Sequence, residues 1–250
     1  MTTDQKRPRV ALVTGASSGL GWATAQRLAA GGMTVVCVAR SAAVRDRAAE
    51  LVASGGRASG FPLDVTDTEA VIAAVRQIAD EHGGIDILVN NAGGGFAVPI
   101  PEEQSTESWS ADLAVHLTAP FVLCREVTPY MKRNGWGRIV NISSRAGRTV
   151  VTGGSPSYHA GKAGLIGLTR LLASALAPHG ITVNAIAPGR VDVGKDDPTS
   201  EMVIRSLSNT PMKRVGHASE IAETVAFVVS DGAAFMTGAT IDVNGGAFIG

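Results

Sequence analysis

A tyrosine and a lysine stand four positions apart in the chain, at Tyr158 and Lys162. Apolar residues recur at helical spacing in the following segment, 163–176, so the two side chains are expected one turn apart near the start of a helix. A free phenol has a pKa of ~10, and a nearby positive charge lowers it by favouring the phenolate. The pair is therefore a candidate general acid/base, although the same spacing is also typical of a surface packing pair.

Length and composition limit the class of protein. The 250 residues suffice for one large α/β domain, and no linker or repeat divides them. Basic and acidic side chains number 22 each, which favours a small-molecule substrate over nucleic acid or an anionic membrane. Cys37 and Cys124 stand apart in apolar stretches, which favours buried free thiols over a disulfide or a metal site. With no signal peptide and no membrane span of ~18 apolar residues, we expect a cytoplasmic protein.

A glycine-rich turn follows the first apolar run of the chain. Residues 10–13 are predicted to form a strand, 22–30 a helix and 34–39 a second strand. Glycines between a strand and a helix let backbone N–H groups approach a pyrophosphate, and the helix N-terminus adds unpaired donors. This context favours dinucleotide binding over an ordinary turn. The expected binding residues are Gly15, Ser17, Ser18, Gly19, Leu20 and Gly21.

The end of the second predicted strand carries Arg40 and Ser41 and no acidic residue. A carboxylate at this point of a dinucleotide-binding fold accepts a hydrogen bond from the ribose 2′-hydroxyl, whereas an arginine accommodates a 2′-phosphate. Arg40, with Ser41 as a hydroxyl donor, therefore favours NADPH/NADP+ over NADH/NAD+. The alternative is a solvent-facing arginine that begins the next helix.

Strands and helices alternate along the rest of the chain. Further strands are predicted at 57–63, 85–89, 138–142, 181–186 and 239–243, and further helices at 42–53, 71–78, 109–131 and 220–229. This alternation predicts an α/β fold with a doubly wound parallel sheet and a ligand at the carboxyl strand ends. The candidates there are Asp64, Val65, Asn91, Ala92, Gly93, Ser144, Pro188, Gly189 and Val191. Segment 190–212 is polar without a clear strand, which suits a lid over the substrate.

Taken in order, these segments resemble the classical short-chain dehydrogenases/reductases over nearly the whole chain. The matching segments are 14–21, 64–65, 90–93, 142–144, Tyr158 with Lys162, 183–189 and 238–246. The resemblance implies a single-domain Rossmann fold with a seven-stranded sheet, a homotetramer, and NAD(P)-dependent interconversion of a carbonyl and an alcohol. The catalytic segments and the tail are similar to those of 3-oxoacyl-[acyl-carrier-protein] reductases. However, His179 stands where those enzymes commonly carry an arginine that meets the acidic carrier protein.

The resemblance also assigns roles to the catalytic residues. Tyr158 gives a proton to the carbonyl oxygen while hydride arrives from C4 of the nicotinamide. Lys162 lowers the phenol pKa, and Tyr158 and Lys162 also lie against the nicotinamide ribose. The Ser144 hydroxyl holds the oxygen on which negative charge develops. Ser143 supports the turn and is the less favoured substitute for Ser144.

Three features depart from the family's pattern. The loop between Ser144 and Tyr158 is one residue longer than usual, and Val193 replaces a threonine that often bonds the nicotinamide carboxamide. His116 stands where the family's fourth catalytic residue, an asparagine, typically holds a water that links the lysine to solvent. The imidazole could hold that water and, with an unperturbed pKa of ~6.5, could titrate in the working range. A packed histidine without a catalytic role is the alternative.

The leading interpretation is an NADPH-dependent carbonyl reductase that acts on a ketone such as a 3-oxoacyl thioester. An NAD-dependent alcohol, sugar or dihydrodiol dehydrogenase is the rival among enzymes, and Arg40 counts against it. A dinucleotide-binding regulatory protein without turnover is the rival outside enzymes, and the presence of Ser144, Tyr158 and Lys162 together counts against that.

Overall fold

The computed structural model describes residues 7–94, 101–151, 153–194 and 199–250. The strands within these ranges are β1 (Val10–Thr14), β2 (Thr34–Ala39), β3 (Arg57–Pro62), β4 (Ile87–Asn90), β5 (Gly137–Ile142), β6 (Ile181–Pro188), β7 (Val191–Asp192), β8 (Gly216–His217) and β9 (Thr240–Val243). Seven of them form one parallel sheet in the order β3-β2-β1-β4-β5-β6-β9, and β7 pairs with β8 separately. The single-domain Rossmann fold with a doubly wound seven-stranded sheet is thereby confirmed.

Helices cover both faces of the sheet. They are α1 (Gly19–Ala30), α2 (Val44–Ala53), α3 (Thr68–His82), α4 (Thr106–Leu113), α5 (Ala119–Asn134), α6 (Pro156–Leu176), α7 (Glu201–Ser208) and α8 (Ala218–Val228). One apolar cluster joins α3, α5 and α6 to the sheet, and a second joins α1, α2 and α8 to its other face. Because both faces are covered, β1, β4 and β5 are buried along their whole length. No helix in the described part of the chain is long and apolar enough to cross a membrane.

The strand order places a crevice between β1 and β4. β1 leads through α1 to β2 on one side, whereas β4 leads toward β5 on the other, so the chain connections diverge at this point. In open parallel sheets the ligand binds outside the carboxyl strand ends where the strand order reverses. The glycine turn after β1 and Asn91 after β4 lie on opposite sides of this crevice.

Two predicted segments differ from the structure. The continuous helix predicted at 109–131 is wrong, because a π-helical turn at Ala114–Thr118 separates α4 from α5. Pro120 in the first turn of α5 has no amide hydrogen for the carbonyl four residues earlier, and a wider turn accommodates that loss. Segment 190–212 was expected to lack a strand but contains β7, and it also contains α7. Residues 195–198 of the expected lid lie outside the described residues.

Candidate active site

Tyr158 and Lys162 lie in the first two turns of α6, as the spacing predicts. Ser155 caps this helix by accepting a hydrogen bond from the Tyr158 amide at 3.3 Å, and Pro156 occupies the first helical position. The Lys162 side chain is 4% exposed and its Nζ lies 5.7 Å from the centre of the Tyr158 ring. Nζ donates to the carbonyl of Ile142 at 2.8 Å, which fixes the ammonium at the end of β5.

The two serines after β5 face different groups. Ser143 donates its hydroxyl to the Lys162 carbonyl at 2.9 Å and so ties β5 to α6. The Ser144 hydroxyl accepts from the Ala146 amide at 3.1 Å and interacts with the Tyr158 phenol. Ser144 is thus the serine that the structure brings to Tyr158, and Ser143 supports the helix behind it.

Burial dominates the titration of the pair. Desolvation raises the pKa of Tyr158, and the Ser144 hydroxyl offsets this only in part. Desolvation also lowers the pKa of Lys162 to about 8. A lowering of the phenol pKa by Lys162 therefore does not prevail in this structure, because burial is the largest influence on the pKa of both groups. At neutral pH the Tyr158 phenol is protonated, and the Lys162 amine is protonated in most molecules.

The glycine turn has space only for glycine at its critical points. Gly15 and Gly19 have φ angles of 68° and 57°, in the left-handed region. A Cβ on Gly21 would lie 2.3 Å from the Gly15 carbonyl oxygen, and one on Gly19 would lie 3.2 Å from Val193. Ser18, the N-cap of α1, makes no side-chain capping bond, so the first N–H groups of the helix face the turn without that partner. This is the kind of backbone cradle that fits a pyrophosphate.

Hydrogen bonds join the two sides of the crevice between β1 and β4 at the strand ends. Thr14 Oγ1 accepts from the amides of Asn91 and Ala92, each at 2.9 Å, and Asn91 Nδ2 donates to the Thr14 carbonyl at 2.9 Å. The Asn91 side chain therefore holds the glycine turn, which leaves its backbone carbonyl for a ligand. Sequence reasoning did not single out Thr14, although its place directly before Gly15 is a usable signal.

The expected adenosine end lies at the ends of β2 and β3. Arg40, Ser41 and Asp64 are exposed there, whereas Val65 is buried in the core. Hydrogen bonds from Thr66 lower the pKa of Asp64, and the charge of Arg40 lowers it further. The Asp64 carboxylate is thus within electrostatic reach of Arg40, whose side chain is exposed to solvent. The Ser41 hydroxyl accepts from the Ala43 amide at 3.3 Å, so its own hydrogen is free to donate.

At the other end of the crevice, β6 and the residues after it border the glycine turn. Leu20 packs against the core cluster shared by α1 and α8, and Pro188 and Val191 are buried. A Cβ on Gly189 would lie 2.8 Å from the Asn244 Cα, so this position has no space for a side chain. The Val193 side chain lies 3.2 Å from the point where a Cβ on Gly19 would stand, so this segment borders the turn.

His116 projects from the π-helical turn into the same site. It is 1% exposed, and its ring meets the Tyr158 ring edge to face at 5.0 Å. Nε2 lies 2.9 Å from the Gly94 carbonyl, which can only accept, so Nε2 carries the hydrogen. Nδ1 then has a free lone pair, and it is buried with no partner among the described residues.

The electrostatics of His116 overturn one expectation. Burial and the Lys162 charge lower its pKa to about 4, against smaller opposing effects of Gly94 and Asp112. The imidazole is therefore neutral at neutral pH, and the expected titration near ~6.5 is wrong. Glycines enclose the ring: a Cβ on Gly93 would lie 2.7 Å from Cε1, and one on Gly161 would lie 3.0 Å from the His116 Cβ.

Comparison with known proteins places this site in a family. A family model described as Enoyl-(Acyl carrier protein) reductase matches residues 15–247. The 3-oxoacyl-[acyl-carrier-protein] reductase FabG of Vibrio cholerae is 38% identical over 245 residues, which cover 96% of this chain and 98% of that protein. The chain belongs to the short-chain dehydrogenase/reductase family. It is an NAD(P)-dependent oxidoreductase that acts on CH–OH or C=O groups.

Solved structures agree with this assignment. One is a Beutenbergia cavernae protein with bound NADP, described as an NAD(P)-dependent gluconate 5-dehydrogenase. Its TM-score is 0.90 at 34% identity, and the match covers 96% of each chain. Another is a blue fluorescent protein from a metagenomic library, in complex with NADPH. Its TM-score is 0.91 at 33% identity, and the match covers 96% of this chain and 98% of that chain.

The enzyme also contains a polar cluster beside Tyr158 that sequence reasoning missed. Ser157 donates to the fully buried carboxylate of Asp112 on α4, and Gln104 bonds both the hydroxyl and the amide of Ser157. Asp112 and Ser157 are 45 positions apart, and no local signal links them. The cluster fixes the first turn of α6, and with it Tyr158, against α4.

Proposed function

We propose that the enzyme is an NADPH-dependent carbonyl reductase that converts a ketone, such as a 3-oxoacyl thioester, into a secondary alcohol in a reversible reaction. The observation that supports this most is the meeting of Tyr158, Ser144 and Lys162 at the carboxyl edge of the sheet. A protonated phenol and a neighbouring hydroxyl provide two donors for one carbonyl oxygen, on which negative charge develops during reduction.

The cofactor is NADP(H). The glycine turn fits the pyrophosphate, because its glycines exclude Cβ atoms and α1 begins without a side-chain cap. Arg40 and Ser41 would hold a 2′-phosphate at the end of β2. The two solved relatives described above carry NADP or NADPH, which agrees with the expected NADP(H), and the selection of this cofactor by Arg40 stays a prediction. When bound, the cofactor supplies the hydride from C4 of the nicotinamide.

Three side chains donate the proton or stabilise the negative charge that develops during its transfer. Tyr158 gives its hydrogen to the carbonyl oxygen, and its raised pKa keeps the phenol protonated at neutral pH, as an acid requires. Ser144 donates a second hydrogen bond to the same oxygen. Lys162, with a pKa of about 8, is largely charged at neutral pH and stabilises the phenolate that remains.

His116 holds the water that restores the proton. Its unpartnered Nδ1 is a buried acceptor beside Tyr158, and the Lys162 charge acts on the same ring. A buried acceptor of this kind is usually satisfied by an ordered water. Once Lys162 has given a proton to the Tyr158 phenolate, a water that donates one hydrogen to Nδ1 would donate its other hydrogen to the neutral amine, and solvent would replace the proton that the water loses, with His116 neutral throughout.

The enzyme is proposed to be a homotetramer in the cytoplasm. Large exposed apolar side chains lie on α5 and α6 (Phe121 and Leu171) and beyond α8 (Phe235), which supports contacts between copies in a homotetramer. Two free buried thiols fit a reducing cytoplasm.

Segment 190–212 is proposed to cover a small-molecule substrate. His179 is exposed where a carrier-docking arginine is expected, so a free thioester or a cyclic ketone is the favoured substrate class.

The test is NADPH oxidation with a panel of substrates. The panel contains 3-oxoacyl thioesters, cyclic ketones, an aldose and a 2-enoyl thioester, each with NADPH and with NADH. We expect turnover with at least one ketone and a preference for NADPH. Turnover of the enoyl thioester and of no ketone would show that the enzyme reduces alkenes and not ketones. Tight NADPH binding without any turnover would favour a regulatory protein.

A further inference from the structure

His159, directly after the catalytic tyrosine, joins α6 to the loop that precedes it. Its Nδ1 lies 3.0 Å from the Ser155 carbonyl, which can only accept a hydrogen bond. Its Nε2 lies 3.1 Å from the Val151 amide, which can only donate. The ring is therefore a neutral tautomer with its hydrogen on Nδ1 and its lone pair on Nε2, and both nitrogens have partners.

The loop turns closely around this imidazole. The Gly154 amide donates to the Val151 carbonyl at 3.1 Å. A Cβ on Gly154 would lie 2.4 Å from His159 Cε1, so only glycine fits against the ring there. Gly153 has a φ of 81°, in the left-handed region that favours glycine. The paired glycines thus allow the backbone to close onto the histidine, and the Val151 amide is held by a side chain of the catalytic helix.

The position of the loop relates it to the substrate. It follows Ser144 at the end of β5 and leads into α6, whose third residue is Tyr158, and the Ser144 and Tyr158 side chains interact. Val150 is 86% exposed, and Val151 beside it is half-buried. An exposed valine in the loop that joins these two parts of the site is available to contact the apolar part of a substrate.

We propose that His159 is a positioning residue that holds Val150 and Val151 in place as an apolar wall for the carbonyl substrate. This inference rests on the proposed carbonyl-reductase function. It favours substrates with an alkyl or ring group next to the carbonyl over polyhydroxylated ones, because hydroxyl groups would lose hydration against the valines. His159 acts through the loop backbone and takes no part in proton transfer.

Three variants separate the two hydrogen bonds of His159. His159→Ala removes both. The amide nitrogen of His159→Asn can replace Nδ1 toward Ser155, and the amide oxygen of His159→Gln can replace Nε2 toward Val151. His179→Ala, at an exposed histidine beyond the end of α6, is the matched control.

The first measurement is hydrogen–deuterium exchange of the free enzyme, followed by mass spectrometry of the peptide that contains Val151. Loss of one neutral hydrogen bond predicts exchange about tenfold faster in His159→Ala and His159→Asn, and near-parent exchange in His159→Gln and His179→Ala. Parent-like exchange in His159→Ala, or equal loss in the Asn and Gln variants, would overturn the anchoring of the loop.

The second measurement is the steady-state kinetics with the best ketone of the panel. We expect KM for that ketone to rise about tenfold in His159→Ala and His159→Asn, with a smaller change in kcat, an unchanged KM for NADPH and rescue by His159→Gln. A loosened loop with unchanged ketone KM would overturn the substrate-wall role. Absence of ketone turnover in the parent would overturn the proposed function instead, and the exchange rates would still decide whether His159 anchors the loop.

Discussion

The cofactor side and the proton-transfer side of the site are stabilised in different ways. Around the glycine turn, missing Cβ atoms set the geometry and Thr14 and Asn91 join the strand ends through hydrogen bonds. Around α6, by contrast, a buried ammonium and a buried imidazole lie beside a half-buried phenol, and His116 Nδ1 has no partner among the described residues. On the proposed cofactor side the backbone sets the shape of the site, whereas the proposed catalytic side holds desolvated ionisable groups. Perturbed pKa values of this kind cluster at functional sites.

The largest expected effect is on the catalytic side alone. Tyr158→Phe removes the proton donor but no contact of the glycine turn, so kcat/KM for the ketone should fall by ~10²–10⁴-fold. NADPH affinity, measured by fluorescence titration, should change little. A variant with parent turnover would remove Tyr158 as the acid, and one that loses only NADPH affinity would move its role to the cofactor side.

Lys162→Met should make the fold more stable while it removes activity. Burial lowers the Lys162 pKa from 10.5 to about 8, so between these pH values the unfolded chain binds a proton that the folded chain has released. Parent stability therefore rises with pH across this window, and below about pH 8 the buried charge costs up to ~3 kcal/mol.

Urea unfolding at pH 7 and at pH 10 measures this effect. Methionine is uncharged, so the free energy of unfolding of the variant should exceed that of the parent at pH 7. This difference should shrink toward pH 10. Lys132→Met, at an exposed lysine on α5, is the control and should show no such trend. A destabilised Lys162→Met variant at pH 7 would contradict the account of burial.

A change on the cofactor side should leave proton transfer intact. Arg40→Ala should weaken NADPH binding more than NADH binding, by ~1.5–3 kcal/mol, because it removes a charge-assisted phosphate contact. The pH–rate profile at saturating NADPH should keep its shape. Dissociation constants for both cofactors provide the check, and equal losses for NADPH and NADH would remove Arg40 as the selector.

The smallest effects concern His116. Because its pKa is about 4, we expect a neutral acceptor rather than a titrating relay. His116→Asn retains an acceptor and should keep turnover within ~3-fold with the same pH–rate profile above pH 6, whereas His116→Leu should lose about tenfold. A profile that shifts near pH 6–7 in His116→Asn would restore the titrating role, and a fully active His116→Leu would leave His116 with packing alone.

The two sides also differ in how far the sequence predicted them. The glycine turn, Arg40 and the Tyr158–Lys162 spacing are local patterns, and the structure brings them to one sheet edge. The π-helical turn at His116 depends on Pro120 and on packing against α6, so helical periodicity alone missed it. The Asp112–Ser157 bond and the contacts of His159 join segments through the fold. The pKa directions of Tyr158 and Lys162 follow from burial, which the spacing of two residues does not reveal.

The most direct test of carbonyl reduction follows the transferred atom. With NADPH that carries deuterium at both C4 positions, the enzyme and its best ketone should yield an alcohol that carries one deuterium on the former carbonyl carbon, as mass spectrometry and NMR would show. Deuterium on another carbon, or no alcohol product despite bound NADPH, would contradict the proposed reaction.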